Sequence, residues 1–444
     1  MQRKSNIKST LIAIKNNKII NYVPLFIGLI YLLFTLLLFF LAPFYWPIND
    51  WSEFYIYIVA TLFALIFGYI LGQHASIYTA REFRHSYWII FGGILAVILL
   101  FPTSYIYSGR WPWDVFDALV DQNDTYKRLA EQLKGDAVSR LPIVLARSMT
   151  QPVIFSVIPL GSIYWGKLSR NLKMLVIATI MSSAIFSILR GTTRELADMA
   201  AVIISAITVA TCRAVVHGRL APAQLVRQLY RVSVGGAGLV AIVLISLTIR
   251  TSSRLGEAVT SFCIGDSGIC ASSSLGLEKY VPNGLIYTYE TMTAYFAQGY
   301  CGIALAMKRD FNSSWGVGHS PALLSLAKLF FDAQPLYDRS YTYRNFIDNW
   351  SDETQWSGLS TWLANDISFP GTLFFFVGLA YLWALSWRDA VYRSDDRATI
   401  FFCIIMVMIF YFPVNNQMMA TLDNYTTLLF WLFFWSLNRN KKST

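Results

Sequence analysis

Runs of about twenty apolar residues recur from one end of this chain to the other, and no other sequence feature narrows its fold as much. A helix needs roughly 20 such residues to cross ~30 Å of hydrocarbon. Backbone groups in lipid must be paired within their own segment, so each run is expected to be a helix. The runs fall at about 22–44, 54–72, 87–107, 152–166, 174–190, 196–212, 232–250, 371–387, 399–413 and 425–437. They predict an all-α polytopic membrane protein of about ten transmembrane helices. The first run, Tyr22 to Phe44, exceeds a signal-peptide core and lacks a small-residue cleavage site after it, so it is expected to remain as a span. Composition agrees: with 55% hydrophobic and 14% charged residues, the 444-residue chain has too little polar surface to clothe a soluble core.

The net charge of +10 does not point to nucleic acid, because the basic residues sit in short clusters between the apolar runs. That is the pattern of the positive-inside rule. With Arg3, Lys4, Lys8, Lys15 and Lys18 cytoplasmic, alternation puts Arg81/Arg84, Lys167/Arg170/Lys173, Arg213/Arg219/Arg227/Arg231, Arg388/Arg393/Arg397 and Arg439/Lys441/Lys442 on the same side. Both termini are then expected inside. Outside lie a loop at about 108–151, a tight turn around Arg190 to Glu195, and a large loop over 251–370. This divides the chain into seven helices over 1–250, the large loop, and three helices over 371–444. Trp46, Trp51, Trp88, Trp165 and Trp387 fall near span ends, as interfacial anchors do.

The outside loops carry most of the chemistry. Trp111-Pro-Trp-Asp and the segment from Thr125 to Leu145 read as an interfacial cover. In the large loop, Tyr287–Met307 and Pro321–Phe331 are apolar enough to lie on the membrane surface or dip into it. Cys263 and Cys270 enclose six residues, including two glycines, a spacing that permits a disulfide in an oxidising compartment; two unrelated thiols are the alternative. Cys212, Cys301 and Cys403 lie in apolar surroundings and read as packing residues. With no CxxC pair and four histidines, the sequence suggests no metal site.

Arg190 and Arg194 stand one helical turn apart in Leu189-Arg-Gly-Thr-Thr-Arg-Glu195, at the depth where a lipid-linked diphosphate would present its phosphates. Arginine binds such oxygens bidentately, and free amides at a helix start add donors. A snorkelling arginine paired with Glu195 or Asp198 is the competing explanation. Further along, Tyr337-Asp-Arg339-Ser-Tyr-Thr-Tyr343-Arg344-Asn offers aromatic rings for sugars and guanidinium groups for phosphate, although Arg339 beside Asp338 also suits a local ion pair. His319, Asp366 and Glu290 are three rival general bases.

Thr193-Arg-Glu-Leu at the opening of a span resembles the Ser/Thr-Arg element of bacterial O-antigen polymerases of the Wzy type and of the related O-antigen ligases. Thr361 through Asp366 to Gly371, running into a span, is similar to the Thr…Asp-Phe-Gly…Gly stretch of those polymerases, with Ile-Ser-Phe-Pro in place of Phe-Gly. Between the two, Gly284 to Glu290, Tyr295 and Tyr300, followed by Trp315-Gly-Val-Gly-His319-Ser-Pro, keep the family's order over about residues 175–390.

The resemblance implies a GT-C-like membrane glycosyltransferase of the bacterial inner membrane. It would polymerise oligosaccharide repeat units carried on undecaprenyl diphosphate, taking donor and acceptor from the bilayer at the periplasmic face, without a cofactor. A chain-length regulator is a partner the family implies. The alternative is an O-antigen ligase that hands the glycan to lipid A core. A flippase is disfavoured, since no internal repeat appears and the charges gather at the outer rim.

Overall fold

The computed structural model describes residues 18–75, 82–120, 122–134, 137–221, 224–232, 234–236, 238, 245, 261–352 and 354–439. Most of the expected span at 232–250, and the N-terminal basic cluster before Lys18, lie outside the described residues.

Eleven helices carry the architecture discussed below: α1 Lys18–Leu41, α2 Trp51–Gln73, α3 His85–Ser108, α4 Ala137–Tyr164, α5 Arg170–Leu189, α6 Arg194–Val216, α7 Ile286–Met307, α8 Pro321–Phe331, α9 Gly358–Tyr392, α10 Asp396–Tyr411 and α11 Leu422–Arg439. Among the described residues, seven helices (α1 to α6 and α9) are long and apolar enough to cross a membrane. At 16 residues α10 is about 24 Å long, and the first turn of α11 is polar. Both are nonetheless packed into the same bundle core. Among the described residues β pairing is limited to two isolated bridges, Phe44 with Ala271 and Cys263 with Cys270.

Local sequence explains how these helices start and meet. The Asp50 carboxylate caps α2 by accepting the Ser52 N–H at 2.8 Å, and Ser169 caps α5 through Leu172. Gly68 and Gly72, one turn apart on α2, let it press against α9, its most extensive partner. A Cβ at Gly68 would lie 2.2 Å from the Val377 carbonyl oxygen, and one at Gly72 would lie 2.5 Å from that of Tyr381. Where α6, α9, α10 and α11 converge, Arg213 pairs with Asp396, Arg397 with Asp395 and Arg439 with Asp389, so these buried charges are compensated.

The structure corrects several expectations. The helix placed at 152–166 begins at Ala137 and runs for 28 residues through Pro142, Pro152 and Pro159, so Arg147 is helical instead of lying in a loop. Helix α7 does not rest on a surface. It is buried along most of its length and packs against α1 and α9, because its Gly-, Ala- and Thr-rich faces meet protein and not lipid. Trp387 is no interfacial anchor: it is fully buried and donates its indole N–H to the Ile20 carbonyl at 2.9 Å. Helix α9 starts at Gly358, so Asp366 lies inside a helix and not in the approach to one.

Helix α9 breaks shortly after Asp366. Ser368 takes φ 64° and ψ 166°, a conformation rarely adopted by L-residues, and Pro370 offers no N–H to the Asp366 carbonyl. The carbonyls released by this break are taken up elsewhere. The Asn365 oxygen accepts the Ser314 N–H at 2.9 Å, and the Asp366 carbonyl accepts the Ser313 hydroxyl at 3.2 Å. A helix break thereby docks the turn that leads to His319.

Candidate functional site

The turn from α5 to α6 opens a cavity of about 120 Å³ lined by residues of α3, α4, α5, α6 and the start of α11. Arg190 and Arg194 both line it, joined by Arg147 from α4, which sequence reasoning did not single out. Arg147 donates two hydrogen bonds to Asp423, at 3.1 and 2.9 Å, and its guanidinium lies 4.8 Å from the centre of the Phe186 ring. Arg190 pairs with Glu195 at 2.6 Å and sits over Tyr107 and Phe186. Arg194 donates to the Thr421 hydroxyl at 3.2 Å.

Glu195, Asp198 and Asp423 also line the cavity, so three guanidinium groups face three carboxylates and the site is formally balanced. Each guanidinium carries five donors, and the Nε groups of Arg190 and Arg194 are buried without a hydrogen-bond partner. The pairs fix the guanidinium orientation while leaving donors for a tetrahedral oxyanion. A second cavity of about 90 Å³ shares Arg147, Gln151, Phe186 and Glu195 and continues along Ala96, Leu99, Leu100 and Thr103 of α3. The charged pocket thus adjoins a second cavity of mixed lining, whose apolar side is formed by Ala96, Leu99 and Leu100 of α3.

The second constellation is built on the broken helix. The Asp366 carboxylate accepts the N–H groups of Gly316 at 2.9 Å and Gly318 at 3.1 Å on one oxygen, and that of His319 at 2.7 Å on the other. The second oxygen also lies 2.9 Å from His319 Nδ1. Neighbouring Asn365 holds the Gly318 carbonyl at 2.9 Å and the Tyr341 N–H at 2.8 Å. His319 Nε2 lies 2.9 Å from the Tyr425 hydroxyl. The structure therefore brings together two of the rival bases, His319 and Asp366, as one oriented pair.

The segment between α10 and α11 joins the two constellations. Toward the histidine, Asn416 donates to the His319 carbonyl at 2.6 Å, the Met419 carbonyl accepts the Ser320 hydroxyl at 2.7 Å, and Tyr425 meets the imidazole. Toward the cavity, Gln417 donates to Asp198 at 3.0 Å, Thr421 accepts from Arg194, and Asp423 accepts from Arg147. Six residues within 415–425 thus each reach one half-site, three on the histidine side and three on the cavity side.

The remaining sequence candidates lie elsewhere; Glu290, Arg344, Arg339, Tyr343 and Tyr295 are not among the residues lining the cavity. Glu290 is buried at the start of α7 and accepts the Phe262 N–H at 2.8 Å, tying down the hairpin closed by the Cys263–Cys270 disulfide. Burial pushes its carboxyl above the usual range against that hydrogen bond, and Glu278 adds to the rise. Arg344 donates to the Asp310 carbonyl at 2.7 Å and lies over Tyr341, with burial lowering its pKa. Tyr343 packs between Tyr337 and Phe346, Tyr295 meets the edge of Trp356, and Arg339 is exposed at the end of the short helix Gln334–Arg339. No known family model matches this sequence, and no curated protein or solved structure matches it either.

Asp423 and Tyr425 escaped notice in the sequence because each lies in or beside an apolar run that reads as a plain span, and Arg147 because it falls in the segment read as an outside loop at about 108–151. The signal available was Asp423-Asn424 opening such a run and Asn415-Asn416-Gln417 just before it, a density of polar groups that a simple span boundary does not require.

Proposed function

We propose that this chain is a membrane glycosyltransferase that polymerises oligosaccharide repeat units carried on undecaprenyl diphosphate, for O-antigen or a similar surface polysaccharide. The observation that carries the reading is the attachment of one short segment, 415–425, to both an arginine-lined cavity and a carboxylate-oriented histidine. Transfer from a lipid diphosphate needs those two functions side by side: charge stabilisation on the departing diphosphate, and a base for the attacking hydroxyl. The cavity's unused guanidinium donors suit the first function, and the adjoining cavity, with Ala96, Leu99 and Leu100 on its α3 side, offers room beside them for the start of the lipid. His319, held by Asp366, suits the second.

In this scheme the acceptor sugar hydroxyl gives up its proton toward His319 as its oxygen attacks the donor's anomeric carbon. The bond from that carbon to the diphosphate breaks, and the electron pair leaves with the phosphate oxygen onto Arg147, Arg190 and Arg194. Asp366 orients the imidazole and stabilises the imidazolium without itself taking the proton. In this reading the reaction runs at the periplasmic face of the inner membrane, as the resemblance to O-antigen polymerases implies, with both termini cytoplasmic, as the alternation of basic clusters implies.

The firm seating of His319 also suits an O-antigen ligase, which shares donor and leaving group. Deletion of the gene separates the two. Single repeat units on the surface support the polymerase, while complete loss of attached glycan, with polymer accumulating on its carrier, supports the ligase. Purified protein that lengthens a lipid-linked repeat unit in detergent is the direct test, and failure to do so with an intact, folded protein refutes the proposal.

A further inference from the structure

His319 is engaged at both ring nitrogens. Asp366 is surrounded by three backbone N–H groups in addition to Nδ1, so it acts as an acceptor, and the proton between it and the ring resides on Nδ1. In the neutral ring, the form a base requires, Nε2 then holds the lone pair, and the Tyr425 hydroxyl 2.9 Å away is placed to donate into it. The base's lone pair is therefore occupied before any acceptor sugar arrives. Either Tyr425 must leave or it must take part.

Departure is opposed by the way Tyr425 is held. It lies in the first turn of α11, with its N–H on the Thr421 carbonyl at 2.9 Å. The Thr426 hydroxyl bonds the Ser148 carbonyl at 2.8 Å, and Asp423 is clamped by Arg147. The two residues preceding Tyr425, Asp423 and Asn424, line the arginine cavity. Its phenol is half-buried, and its oxygen keeps lone pairs of its own.

We propose that Tyr425 is a catalytic proton relay between the acceptor hydroxyl and His319. This rests on the glycosyl-transfer reading above and adds a residue to it. The acceptor O–H proton passes to the phenol oxygen as the phenol's proton passes to Nε2. The acceptor oxygen uses its electron pair to bond the anomeric carbon, and the carbon–diphosphate bond breaks with its pair going to the diphosphate. The imidazolium, stabilised by Asp366, returns its proton through Tyr425 to water after the product leaves.

The test is Tyr425→Phe in the full-length protein, which keeps the ring and removes the hydroxyl. Elongation kcat is expected to fall on the order of 10²-fold or more, with KM for the lipid-linked donor unchanged. Incorporating 3,5-difluorotyrosine at 425, a more acidic phenol of nearly the same size, is expected to move the alkaline limb of the rate–pH profile to lower pH, which a purely structural role would not do. Acylation of His319 by diethyl pyrocarbonate, followed by mass spectrometry, is expected to speed up several-fold in the Phe variant, because Nε2 loses its cap. That readout requires no elongation. An active wild type with an equally active Phe variant, or an unmoved pH profile, overturns the relay alone. A folded wild type that does not elongate overturns the glycosyl-transfer reading and the relay with it.

Discussion

Replacing Asp366 by Asn probes the arrangement at its most constrained point. The two carboxylate oxygens receive four donors, two each, from Gly316, Gly318 and His319. An amide has one oxygen: with its NH2 group toward Gly316 and Gly318 two hydrogen bonds are lost, and with it toward His319 one is lost while the Nδ1 contact persists with its direction reversed. Hydrogen bonds to a charged group contribute about 1.5–3 kcal/mol each. The direct loss is therefore about 1.5–6 kcal/mol, and relaxation around the exposed Trp315 and Gly316 with entry of water should leave roughly 1–4 kcal/mol of it. The chemical consequence depends on the orientation. With the NH2 group toward the ring, Nδ1 becomes the acceptor, the proton moves to Nε2, and the base no longer has a lone pair for the reaction. Losses from a wrong histidine tautomer are on the order of 10⁴ in rate. The assay pairs melting in detergent with elongation of a lipid-linked repeat unit. Asp366→Asn should melt lower and be nearly inactive, while Asp366→Glu, which keeps the charge, should retain more of both. An Asn variant with wild-type melting and activity would refute the reasoning. One that melts lower but elongates normally would reduce Asp366 to a fastener of the turn.

Three further outcomes are expected. Arg147→Gln leaves the partly buried Asp423 without its guanidinium partner and should cost about 1–3 kcal/mol; Arg147→Gln combined with Asp423→Asn should recover much of that stability, and the pair's importance is disproved if single and double variants melt alike. The disulfide closes a loop of seven-residue separation, so Cys263→Ser with Cys270→Ser should weaken the hairpin by about 2.5 kcal/mol in the chain-entropy model; proteolysis near 263–270 should quicken while elongation persists. Glu290 is a carboxyl raised in the fold above its ordinary value of 4.5, so the native state holds the extra proton and hairpin docking is firmest below that ordinary value. Docking weakens as pH rises through the raised value, and Glu290→Gln should abolish this part of the pH dependence; hydrogen exchange at 261–264 that varies equally with pH in both proteins would contradict it.

Hydropathy located the helices with uninterrupted apolar runs well and those diluted by polar residues or proline poorly, for a physical reason. The runs expected at 54–72, 87–107, 174–190 and 399–413 match Trp51–Gln73, His85–Ser108, Arg170–Leu189 and Asp396–Tyr411 closely, because few polar residues interrupt them, whether the helix faces outward or, like α10, is buried in protein. The first two to three turns of α9 escaped because Thr361, Asn365 and Asp366 are polar, yet Thr361 and Asn365 are fully buried against other segments. The early turns of α4 escaped because Arg140, Arg147 and the prolines dilute its apolar run. Helix α7 has polar groups on several sides, so a window average cannot distinguish burial in protein from rest on a surface. The site was legible only as separate residues. His319 and Asp366 are 47 positions apart, and His319 and Tyr425 are 106 apart; spacing along the chain carries no information about such pairs.

The break in α9 explains why the histidine turn and the helix form a single unit. A helix interrupted by proline exposes carbonyls that are costly to leave unpaired away from water, and such breaks persist where neighbouring protein satisfies them. Here the donors are Ser313 and Ser314, the residues that begin the turn to His319, while the side chains of Asn365 and Asp366 bind the rest of that turn. The turn satisfies the break, and the break supplies the acceptors that hold the turn. The Ile-Ser-Phe-Pro that departs from the polymerase motif is the feature that creates this exchange, with Pro370 removing an N–H and Ser368 holding the strained backbone. The cost of a non-glycine residue at φ 64° is about 1–3 kcal/mol, and the several hydrogen bonds around Asn365 and Asp366 are sufficient to offset it. The departure weakens the literal motif match, and the break it creates sets the Asp366 carboxylate 2.9 Å from His319 Nδ1, the position the proposed reaction asks of an orienting carboxylate.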